Sequence, residues 1–152
     1  MISPRHFYFN ILYGSGKYIL EYAKKLGDPI FEEARSALRV AQRILNLALE
    51  TRDPLDRDKL FREAFDSLFH AVRIAAMTYL STEVARWRLL RRMLSELYNR
   101  QFKEFIDVLH IEYFYNGRHL REGVEEELNK WYRRIREFID NLEREIKKRM
   151  YS

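Results

Sequence analysis

The 152-residue chain carries 28 Lys and Arg against 23 Asp and Glu, a net charge of +5, and no cysteine. Disulfides, thiol catalysis and cysteine-held metals are therefore excluded, and the length suits one domain whose core stands without cross-links. No apolar run of roughly eighteen residues occurs, so no transmembrane helix is expected. The N-terminus lacks the basic leader and small-residue cleavage site of a signal peptide, and a cytoplasmic location is the expectation. Arg outnumbers Lys by 20 to 8 and Gln is nearly absent, a balance that points to a heat-adapted source.

In chain order, Ser3-Pro4 reads as an N-cap followed by Pro at the first helical position of a segment from Met1 to Leu26. Gly14-Ser15-Gly16-Lys17 interrupts that segment. A phosphate loop would need Gly at Ile11 and Ser or Thr at Tyr18, so the tetrad reads as a hinge. Gly27-Asp28-Pro29 ends this helix and starts the next, which covers Ile30 to Thr51 and buries Phe31, Ala34, Leu38, Ala41, Leu45 and Ala48. Asp53-Pro54 breaks it, with Asp56 or Asp58 placed to cap the central helix.

Lys59 to Leu80 runs without Pro or Gly. Leu60, Ala64, Leu68, Ala71, Ala75 and Tyr79 recur every three or four residues, and Phe61, Phe65, Val72 and Ala76 widen the stripe. So wide a stripe needs neighbours on more than one side, and the spacing predicts the central helix of a bundle. Val84 to Tyr98 predicts a further amphipathic helix burying Trp87, Leu90, Leu94 and Leu97. Asn99 kinks or ends it, and Phe102, Phe105, Ile106 and Leu109 mark a short continuation. Asn116-Gly117 is the clearest turn. The last helix, Arg121 to Met150, carries a near-heptad stripe of Val124, Leu128, Trp131, Ile135, Phe138, Leu142 and Ile146 that suits pairing within the bundle or across a dimer. The expectation is one all-α domain over 1–152: an extra N-terminal helix over 1–26 and a bundle over 30–150.

The runs FHAVRIAA (Phe69 to Ala76), LHIEYFYNG (Leu109 to Gly117) and REGVEEELNKW (Arg121 to Trp131) resemble the archaeal PaREP-type family, a branch of the HEPN helical superfamily. The resemblance extends from Phe31 to the C-terminus. It implies a HEPN-like up-and-down bundle, often dimeric, in a family of poorly defined function, with 1–26 outside the shared core. Leu109 and His110 match the family's Leu-His pair, and Tyr113 and Phe114 its aromatics, while Glu112 stands where an Asn is expected. HEPN ribonucleases carry an Arg, four to six residues, and then a His. None of the four histidines has such an Arg: Arg62 lies eight before His70, Arg100 ten before His110, and Arg118 adjoins His119. A metal-independent ribonuclease is therefore disfavoured.

Two constellations remain. His70 and Arg73 share a helix face at a spacing of three, as do His110 and Tyr113. With Arg118 and His119 at the mouth, these six form a candidate ligand site, where Arg would fork onto phosphate, Tyr stack or donate, and His tune charge near neutral pH. The plainer reading of the histidines is a hydrogen-bonded place at the edge of the bundle. The second constellation is the basic run Arg86, Arg88, Arg91, Arg92, Arg100 and Lys103, opposed locally by Glu96 alone. Arg88, Arg91, Arg92 and Arg100 are the candidate contacts to RNA or DNA phosphates, against a plainer reading as a solvated face paired with acids. The scattered His6, His70, His110 and His119 offer no metal-ligand spacing, and neither metal nor cofactor is expected. The expected function is a non-catalytic, homodimeric module that binds a protein partner or a nucleotide. The alternative is an RNA- or DNA-binding protein that uses the Arg86–Arg100 strip.

Overall fold

The structure, a computed structural model, describes residues 31–117 and 123–151. The expected N-terminal helix, the Gly14–Lys17 hinge, Arg118 and His119 lie outside the described residues. Helix α1 (Glu32–Glu50) joins helix α2 (Pro54–Leu80) through Thr51, Arg52 and Asp53. The Asp53 carboxylate accepts hydrogen bonds from the backbone N–H of Leu55 at 2.9 Å and of Asp56 at 3.1 Å. Pro54 stands at the first helical position, where its missing N–H has no intrahelical partner to lose. The cap is thus Asp53 rather than Asp56 or Asp58, and the central helix starts at Pro54 rather than Lys59.

Helix α2 is buried around most of its girth: Phe61, Phe65, Leu68, Phe69, Val72 and Ile74 spread over its faces, and Ala64, Ala71, Ala75 and Ala76 let neighbouring backbones approach. It ends at Ser81, a non-glycine residue in the left-handed region (φ 51°, ψ 50°). The N–H groups of Ser81 and Thr82 there close onto the carbonyls of Thr78 and Met77.

Beyond this turn come α3 (Trp87–Met93), α4 (Glu96–Phe105), a π-helix (Ile106–Tyr115) and α5 (Val124–Tyr151), and each of them packs on α2. Tyr98 meets Tyr79 edge-on at 5.5 Å near the end of α2, while Tyr113 stacks on Phe65 at 4.1 Å near its start. The α4–π rod therefore runs antiparallel to α2. The Tyr79 hydroxyl donates to Glu145 at 2.6 Å, which places the end of α5 beside the end of α2. Arg35 of α1 reaches Asp140 at 2.9 Å and Glu143 at 3.1 Å. The described residues form an all-α, up-and-down bundle with no strand and no helix long and apolar enough to cross a membrane.

The continuous helix expected over Val84 to Tyr98 is two helices. Arg91 Nε donates to Asn99 Oδ1 at 3.0 Å and Asn99 Nδ2 donates to the Arg91 carbonyl at 2.7 Å, so a break at Leu94-Ser95 is stitched by side chains. The break changes the helical phase: Leu97, expected in the core, is 53% exposed, and Tyr98 is buried in its place. Asn99 lies inside α4 and does not end it. The continuation is longer than expected and π-helical, ending with the Asn116 N–H on the Ile111 carbonyl at 2.9 Å. Its last turn is tied to α2 by Arg62, whose Nη1 donates to the Phe114 carbonyl at 2.7 Å.

Two substitutions on and beside α2 test this packing. Phe65→Ala removes a fully buried ring and should cost about 3–5 kcal/mol in chemical denaturation. Ser81→Gly relieves the left-handed residue and should add roughly 0.5–1 kcal/mol by the same measurement.

Candidate functional site

The turn at Ser81 carries the chain away from α2 and brings α3 back beside its last third. Between them lies an open cleft of about 720 Å³, lined by Arg73, Ala85, Arg86, Trp87, Arg88, Leu89 and Arg92. Among the described residues its charged side chains are four guanidinium groups, and no carboxylate lines it. Arg86, Arg88 and Arg92 are exposed, and none of them forms an ion pair with a carboxylate among the described residues. Trp87 is half-buried and offers ring surface to the cleft, with the Arg88 guanidinium 5.1 Å from its ring centroid.

The α2 wall is ordered by a local contact. Arg73 Nη2 lies 3.0 Å from His70 Nδ1, and its guanidinium carbon 6.0 Å from the Phe69 ring centroid. Arginine has no acceptor, so a hydrogen bond here requires Nδ1 as the acceptor. Behind Trp87, the half-buried His110 ring sits among aromatics. It stacks on Phe69 at 5.2 Å and on Phe114 at 5.8 Å, and it meets Tyr115 at 5.0 Å and Trp87 at 6.3 Å edge-on. Its Nδ1 is buried with no hydrogen-bond partner among the described residues. Burial pushes the His110 pKa below its ordinary value and the Arg73 charge lowers it further, while Asp66 pulls the other way.

The structure thus merges the two constellations read from the sequence. Arg73 from the first faces Arg88 and Arg92 from the second, with His70 bound to Arg73 and His110 against the edge of Trp87. Tyr113 is not part of this site. In the π-helix, hydrogen bonds reach five residues back, so a spacing of three no longer aligns side chains as it does in an α-helix. Tyr113 is fully buried against Phe65, while His110 turns toward Trp87. Arg91 turns to Asn99, and Arg100 is exposed outside the lining of the cleft. The sequence reading missed Trp87 as a site residue because its place in the apolar stripe assigned it to the core. The signal was the flanking pair Arg86 and Arg88. Among the described residues no group of three or more His, Asp or Glu is placed to hold a metal ion.

No family model, curated protein or solved structure matches this chain.

The depressed His110 pKa has a consequence for stability. Below the ordinary value of 6.5 the unfolded chain takes up a proton at this position before the folded protein does, so stability falls as pH drops through that window. His110→Phe should lose less melting temperature than the parent between pH 7 and pH 5.5, measured by circular dichroism.

Proposed function

We propose that the protein is a non-catalytic helical module that binds single-stranded nucleic acid in the cleft between α2 and α3. The supporting observation is that four arginines and one partly exposed indole share an open cleft with no carboxylate among the described residues of its lining. Guanidinium groups neutralise successive phosphates, and an aromatic ring accepts an unstacked base whatever its sequence, the combination that single-strand binders use. An open cleft admits a strand that enters and leaves. Nothing in the arrangement supplies an activated nucleophile or a paired acid and base, so binding without turnover is the reading. The HEPN-like kinship, the homodimer and the cytoplasmic setting implied by the sequence complete this proposal. A second reading, a protein partner or a second copy, is favoured by Leu89, Met93 and Leu97, which are exposed on α3 and at the start of α4, with Leu89 at the cleft itself.

A fluorescein-labelled oligouridylate titrated at several salt concentrations tests the first reading. The logarithm of affinity should fall linearly with the logarithm of salt, and each lost arginine contact should flatten the slope by about 0.7. Replacing Arg86, Arg88 and Arg92 together with Ala should therefore remove most of the salt dependence, and Trp87→Ala should cost about 1–3 kcal/mol of binding. An unchanged slope in the triple variant would remove the cleft from consideration. Light scattering reports on the second reading: a dimer that becomes monomeric in Leu89→Glu, Met93→Glu would support it.

A further inference from the structure

We infer that His70 is a positioning residue for nucleic-acid binding: its Nδ1 holds the Arg73 guanidinium on the α2 wall, so that a phosphate is gripped from both sides of the cleft. This rests on the reading of the cleft as a single-strand site. Arg73 is the one cation that α2 contributes to the lining, whereas Arg86, Arg88 and Arg92 all come from α3 and the residue before it. Three arginines on one wall attract a strand but leave its phosphates open on the far side.

An arginine free in solvent samples many rotamers and loses that freedom when it binds. Arg73 has already lost much of it. The 3.0 Å bond to His70 Nδ1 fixes one edge of its guanidinium, and Phe69 lies under the same group. That bond uses one N–H of the fork and leaves others for phosphate oxygens. All three residues lie on α2, within one turn of each other, so the arrangement needs no movement of another element. Burial of α2 on its other faces fixes the backbone that carries them. The tautomer with Nδ1 unprotonated is the form that accepts from Arg73, and a side chain with an acceptor at the same place should do the same work.

The test is the salt slope of oligouridylate binding by the full chain in four variants: His70→Phe, Arg73→Met, the double variant, and His70→Asn, whose amide oxygen stands in for Nδ1. Expected is a slope flatter by about 0.7 in His70→Phe, matching Arg73→Met, with no further loss in the double variant. His70→Asn should keep the parent slope. A histidine that merely supports the fold would change the melting temperature without changing the slope. The inference is overturned if His70→Phe binds with the parent slope, if the double variant falls clearly below Arg73→Met, or if His70→Asn behaves as His70→Phe does. His70→Leu takes the place of His70→Phe in the cycle if the latter does not fold. Failure of the parent protein to bind the probe would instead remove the single-strand reading and this inference together.

Discussion

A helix buried around most of its girth must be encircled, and α2 imposes that condition on every other part of the molecule. Its aromatic and aliphatic side chains need apolar cover from several directions, which α1, the α4–π rod and α5 provide. The alanines set how near those neighbours come. The same condition decides where arginines go. A guanidinium on the inner faces would have to be desolvated, and no arginine among the described residues is buried. Ser81 turns the chain out of α2, and the short α3 buries Leu90 while its exposed Arg88 and Arg92 line the cleft.

Ion pairs cancel part of the basic surface outside the cleft. Arg35 is held by Asp140 and Glu143, Arg62 by Asp58, and Lys103 by Asp107. Arg134 forks onto both oxygens of Glu104 and holds that carboxyl below its usual range. Such exposed pairs contribute little to stability one at a time, but each cancels local field. Arg86, Arg88 and Arg92 have no such partner among the described residues, so the potential they set up is available to an anion from solution. Among the described residues no ion pair falls on α3, whereas α1 and α5 share the pairs of Arg35 with Asp140 and Glu143.

Helical period was enough to place α1, the central helix and the last helix, because their apolar stripes are long and their interruptions carry Pro, Gly or Asp. The buried set of α1, Ala34, Leu38, Ala41, Leu45 and Ala48, coincides with its sequence stripe. The break at Leu94-Ser95 was not legible, since it depends on the reciprocal bonds between Arg91 and Asn99 and on no strong local breaker. The π-helix was hidden for a related reason. Its sequence fits an α period that pairs His110 with Tyr113, and only the longer hydrogen-bond register sends one ring to Trp87 and the other to Phe65. The site lay between these cases. His70, Arg73 and the arginine run were each visible, but their meeting depends on the direction the chain takes after Ser81, a tertiary property that no spacing encodes.

The most direct test of the central claim is photocrosslinking of a bromouridine-substituted single strand to the full chain, with the linked peptide mapped by mass spectrometry. If the strand lies in the cleft, the crosslink should fall on Trp87 and should vanish when unlabelled strand competes or when salt is raised. Crosslinks confined to other helices, or unaffected by competitor, would contradict this account.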